Sequence, residues 1–98
     1  MLPIRWTDRA VTDLVGIVEY VSRSSERAAE DVIAAFDRRL SLLSMHPAMG
    51  KPAPEAVGED VRELVVDAHR LFYVTRGSTI IVLAILHGRQ APPHTLGA

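Results

Sequence analysis

The chain has 98 residues, eleven Lys plus Arg against twelve Asp plus Glu for a formal net charge of −1, and no cysteine. That length is one domain with a thin core, and the balanced charge lacks the basic excess of a small domain that grips nucleic acid by its phosphates. Without cysteine there is no disulfide framework, thiolate metal site or thiol nucleophile, and 48% apolar residues is too many for a disordered chain.

Ile4-Arg5-Trp6 reads as a short strand, with Pro3 tolerated at its start. Thr7 offers an N-cap oxygen, and Asp8 complements the dipole of a first helix. Val11, Leu14, Val15, Val18 and Val21 follow the spacing of one helical face, with Ile17 beside it, Asp13, Glu19 and Arg23 off it, and an end near Ser22. Ser24 or Ser25 caps a second helix whose apolar stripe is Ala29, Val32, Ile33, Phe36, Leu40 and Leu43. Pro47 stops it. The short connection predicts an antiparallel helical hairpin. Residues 46–60 carry three prolines and two glycines and read as a loop.

Val61 to Val66, His69 to Arg76 and Thr79 to His87 read as strands joined by two-residue turns at Asp67-Ala68 and Gly77-Ser78. That register sets Arg62 opposite Tyr73 and Tyr73 opposite Val82. One face then carries Arg62, Leu64, Val66, His69, Leu71, Tyr73, Val82, Ala84 and Leu86. The other carries Val61, Val65, Arg70, Phe72, Val74, Ile81, Leu83, Ile85 and His87. Both are mainly apolar, and two helices cover one side only, so the second face calls for a partner. Residues 88–98 read as a frayed tail. The seven-residue apolar run Ile80 to Leu86 falls far short of the ~20 residues that span a bilayer, and the first residues have no signal-peptide core. The expected setting is the cytoplasm.

Charge is unevenly placed. Residues 7–60 carry six bases and ten acids, and residues 61–98 carry four arginines against Glu63 and Asp67. Anion binding therefore belongs to the C-terminal third. There is no phosphate loop, zinc helix or nucleophile elbow, and no cofactor or metal site is expected. His46 reads as a helix C-terminal residue and His94 as a solvated one. His87, Arg89, Arg70 and Arg62 could move a proton or stabilise phosphorane charge. Equally, the arginines could snorkel around an apolar sheet and pair with Glu63, Asp67 or a partner's carboxylates.

Several segments together carry a resemblance: Ala10-x-x-Asp13-Leu14-x-x-Ile17-x-x-Tyr20, the run Leu43 to Gly50, Arg62-Glu63-Leu64-Val65-Val66, His69-Arg70-Leu71-Phe72-Tyr73 and Ile85-Leu86-His87-Gly88-Arg89. From Ile4 to about Arg89 the chain resembles the ParE/RelE superfamily of toxins from type II toxin–antitoxin pairs, and is closest to the ParE branch. The resemblance implies an α+β fold, β-α-α-β-β-β, with the helical hairpin on a small, mainly antiparallel sheet. It implies a single toxin domain over residues 1–89 and a flexible tail over 90–98.

RelE-like members are ribosome-dependent mRNA endonucleases, whereas ParE-like members poison DNA gyrase. Arg70 matches a catalytic arginine of the nuclease branch. Gly50-Lys51-Pro52 is followed by Ala53 where one nuclease subgroup has a glutamate base, and that subgroup's terminal histidine falls on Gly88. Where another uses lysines in the strand before the turn, Arg62 and Leu64 stand, and its tyrosine has no counterpart, Thr95 being nearest. A RelE-like enzyme would therefore have to work with Arg70, His87 and Arg89. The resemblance favours a non-enzymatic ParE-like toxin that inhibits DNA gyrase, arrests growth and is neutralised by a ParD-like antitoxin. Such an antitoxin carries a ribbon-helix-helix DNA-binding domain, forms a hetero-oligomer with the toxin and alone touches operator DNA. Expected antitoxin contacts are Phe72, Val74, Ile81, Leu83 and Ile85, or the seam of Val11, Leu14 and Val18, with Arg62 and Arg70 meeting acidic side chains. His87 and Arg89 are the expected target contacts.

Overall fold

Strand β1 (Ile4–Trp6) runs directly into helix α1 (Asp8–Ser22) through one residue, Thr7, and a computed structural model shows why. The Thr7 hydroxyl accepts a hydrogen bond from Ala10 N–H at 3.1 Å, capping the helix, and donates to Leu83 O at 2.9 Å. Residues 1–53, 60–88 and 90 are described. Arg89, His94 and the tail expected beyond residue 90 lie outside them.

Helix α2 (Glu26–Met45) starts at Ser25, whose hydroxyl accepts from Ala28 N–H, and ends at His46 before Pro47. Sequence and structure agree on the helical hairpin, but not on the buried stripe of α1. Ala10, Leu14 and Ile17 face the core, and Val11 and Val15 are left 47% and 48% exposed. In α2, Ala29, Phe36 and Leu43 are buried and Ile33 is half exposed. Six Val, Leu and Ile residues between Val11 and Val21 give α1 two adjacent stripes, and the sheet takes the one that starts at Ala10.

The remaining strands are β2 (Lys51–Pro52), β3 (Arg62–Val66), β4 (His69–Arg76) and β5 (Thr79–His87). They form one five-stranded sheet in the order β1-β5-β4-β3-β2, antiparallel except for the β1–β5 pair. The two-residue strand β2 lies inside the segment expected to be loop throughout. Both two-residue turns form, and Asp67 and Gly77 take the positive φ that they need (53° and 60°). Among the described residues no strand neighbours the edge of β5 beyond Trp6, and α1 supplies hydrogen-bond partners there. Thr7 N–H donates to Val82 O at 3.0 Å, and Ile85 N–H donates to the Asp13 carboxylate at 2.9 Å. Asp13 is thus not simply a residue of the wet face.

The expected pairings Arg62–Tyr73 and Tyr73–Val82 are present. Immediately after them β5 carries a bulge: Phe72 pairs with Ala84, so Leu83 is an extra residue. Because side chains alternate faces, this inverts the end of β5. Ala84 and Leu86, expected beside Tyr73, lie on the second face. Ile85 and His87, expected beside Phe72, lie on the helical face.

Most of the second face is covered by the chain itself, although Val65, beside Arg70 on that face, is left 49% exposed. Phe72, Val74 and Leu83 are 0%, 1% and 2% exposed and cluster with Ala53, Val61, Ala84 and Leu86, with Ile81 partly buried beside them. Ala53 N–H donates to Val61 O at 3.0 Å, holding these two residues side by side over this face. The segment that leads into Ala53 is tied down by Tyr73. Its buried hydroxyl accepts from Gly50 N–H at 2.9 Å and donates to Pro47 O at 2.8 Å, while Arg62 donates to Gly50 O at 2.6 Å. Burial raises the Tyr73 pKa, with the Gly50 bond opposing.

A methyl group at Gly50 would stand 2.6 Å from the Tyr73 hydroxyl and 2.8 Å from Glu63 O. Gly50→Ala is therefore expected to cost about 1–3 kcal/mol, read as a lowered urea midpoint. In the Tyr73→Phe background Gly50→Ala should still be costly, because the ring Cε1 at 2.7 Å and Glu63 O at 2.8 Å remain in the way.

Candidate functional site

The bulge sorts the chemistry-bearing side chains onto opposite faces of the sheet. Arg70 leaves β4 on the second face. Glu63 of β3 lies opposite Phe72 and diagonal to Arg70, within reach of a long side chain. The pair is bidentate, with Arg70 Nε to Glu63 Oε1 at 2.6 Å and Nη2 to Oε2 at 3.2 Å. The guanidinium also lies 5.0 Å above the Phe72 ring and donates to Gln90 O at 3.3 Å. Glu63 is 7% exposed. The fork that would stabilise a phosphorane is thus already engaged by a buried carboxylate. This is the pairing with Glu63 that the sequence allowed as the alternative to anion binding.

His87 does not join Arg70. It faces His69 across β4 and β5, with ring centroids 6.0 Å apart and the rings perpendicular. His69 also lies against Phe36 of α2, at 6.1 Å. Burial lowers the His69 pKa, the neighbouring His87 lowers it further, and Asp67 opposes. The two imidazoles stand at one end of a groove of about 530 Å³ between α1 and the sheet, with Asp13, Gly16, Tyr20 and Ile85 among its walls. Nothing in the sequence spacing of His69 and His87 marks them as a pair. Only the bulge, which an uninterrupted apolar run conceals, brings them to one face.

Arg62 is occupied by the loop carbonyls of Gly50 and Ala48. Of the expected antitoxin contacts, Phe72, Val74 and Leu83 are buried in the second-face cluster, and Ile85 is buried on the helical side. The α1 seam is the accessible part. Val11 and Val15 are about half exposed, Tyr20 is 72% exposed, and Leu14 and Val18 are partly buried. Arg89 lies outside the described residues. Among the described residues no group of three or more His, Asp or Glu could hold a metal ion, and no helix is long and apolar enough to cross a membrane.

The described residues thus form a small five-stranded sheet covered on one face by a helical hairpin, with Arg70 and His87 on opposite faces. The family model for the "ParE toxin of type II toxin-antitoxin system, parDE" matches residues 4–92. A Sinorhizobium fredii protein named as a candidate toxin, Y4kP, is 30% identical over 94 residues, which is 95% of each chain. A solved structure from P. aeruginosa, "Chromosomal ParDE TA system", superposes with a TM-score of 0.72 at 22% identity, covering 89% of this chain and 96% of that one. The chain belongs to the ParE toxin family of type II toxin–antitoxin systems.

Because the Arg70–Glu63 pair is built into the sheet, Arg70→Ala is expected to cost about 3 kcal/mol of folding stability by leaving Glu63 buried without its partner. Adding Glu63→Leu should recover much of that loss in urea unfolding. Recovery would show that the loss comes from the Glu63 carboxylate left buried without its partner.

Proposed function

We propose that this ParE-type toxin arrests growth by inhibiting DNA gyrase in the cytoplasm and is neutralised by a cognate antitoxin seated along α1. The match to the ParE family over residues 4–92 carries the reading. Two further observations support it. Arg70 and His87, two of the three residues that a RelE-like endonuclease would need, lie on opposite faces of the sheet, and Arg70 is paired with Glu63. The net charge of −1 also suits a protein target better than extensive ribosomal RNA.

The antitoxin is of the ParD type, with a ribbon-helix-helix domain for operator DNA and a segment that folds onto the toxin. The centre of the second sheet face is filled by the chain itself, so that segment takes the seam of Val11, Val15 and Val18 and the groove beside Tyr20. An amphipathic helix laid there would cover the α1 stripe that the sheet leaves open. His87, at the exposed end of β5, remains the described residue assigned to the gyrase contact.

Expression without antitoxin tests this reading, followed by parallel assays on the purified chain. Growth arrest, loss of gyrase supercoiling and intact mRNA on translating ribosomes are expected. Codon-specific mRNA cleavage with normal supercoiling would overturn it. The variant Val11→Asp/Val15→Asp should remain toxic yet bind the antitoxin at least tenfold more weakly, as the loss of central apolar contacts does.

A further inference from the structure

The proposed role gives His69 no part and does not explain why it is paired with His87. His69 and His87 are directly opposed in the β4–β5 register, next to the Gly88 N–H to Ala68 O hydrogen bond. The His87 N–H is bonded instead to Gln90 Oε1 at 2.8 Å. The pair therefore occupies a non-hydrogen-bonded position, where Cα atoms approach to about 4.5 Å and side chains stand closest. Both rings project to the same face. His69 is half buried against Phe36, which limits its motion, and His87 is exposed and can turn.

We propose that His69 and His87 form a two-imidazole site for one divalent transition-metal ion of the zinc, nickel or copper class, with water in the remaining positions. Imidazole suits these metals and rejects magnesium and calcium. The spacing fits. With a metal–nitrogen bond of about 2.0–2.1 Å, a shared ion holds two ring centres about 5.2 Å apart at a tetrahedral angle and about 6.4 Å apart at a linear one. The observed 6.0 Å lies inside this range. The rings are perpendicular, so one must turn about χ2, a broad and soft torsion in histidine. Asp67 on the β3–β4 turn and Asp13 on α1 supply negative charge nearby, while Tyr20 lines the open side. Asp13 is engaged with Ile85 N–H, so the ion is held by nitrogen at two positions only. It sits at the end of the groove, where it would fix the last turn of β5 against β4.

Urea unfolding of the full chain with and without Zn(II) at pH 7.5 tests the site. At ten times the dissociation constant, zinc should shift the folding equilibrium about elevenfold toward the folded state. His87→Asn and His69→Asn should each abolish the shift, and His46→Asn should keep it. Protons compete for the same nitrogens, so the shift should vanish at pH 5.5. Cu(II) titrated into the labelled protein should broaden amide resonances first around residues 68–69 and 86–88. No zinc shift in the parent chain, a shift retained in His87→Asn, or copper broadening centred on His46 would each overturn the proposal. Because His69→Asn also alters contacts to Phe36, the exposed His87→Asn variant and the copper map decide the matter if that protein folds poorly.

Discussion

The β4–β5 hairpin is apolar on both faces, and a chain of 98 residues has to cover it twice. The helical hairpin covers one face. The other is covered because the chain, on leaving α2, is steered around the β3 edge and back over the sheet through Ala53 and Val61. The steering point is the Tyr73 hydroxyl, which holds Gly50 and Pro47 from inside the core, with Arg62 clasping the same loop. A phenol buried for this purpose has both its donor and its acceptor capacity used, so it incurs no unsatisfied-group penalty.

The same two-sided burial fixes where function can reside. A face that the chain closes itself is not an open platform for an antitoxin, and the Arg70 guanidinium that roofs Phe72 belongs to that closure. What remains accessible is the outer stripe of α1, the groove beside it and the exposed end of β5 with His87. The proposed antitoxin site accordingly lies on the helix that flanks the sheet rather than on the sheet itself.

Much of this was legible in the sequence, where local chemistry decides. Thr7 caps α1, Ser24 or Ser25 marks the start of α2, Pro47 stops it, and Asp67 and Gly77 accept positive φ, so the order of the elements apart from β2, the turns and the Tyr73–Val82 pairing follow directly. What failed has a common cause in Ile80 to Leu86. An uninterrupted apolar run has no polar residue to mark which face is which, so the Leu83 bulge left no trace, and Ala84, Ile85, Leu86 and His87 were each assigned to the wrong side. The return of Ala53 and Val61 over the second face was equally invisible, since a loop's composition does not state its destination. Val11 and Val15 misled for a related reason: α1 has more apolar residues than its neighbours can bury.

Self-closure of the sheet is measured most directly by native-state hydrogen–deuterium exchange on the chain without antitoxin. Amides of residues 71–74 and 82–86 are predicted to exchange only through global unfolding, and antitoxin is predicted to slow exchange chiefly in α1 and at the end of β5. Rapid exchange of residues 71–74 and 82–86 in the free chain, with protection appearing there only when antitoxin binds, would contradict the claim that this toxin completes its own core.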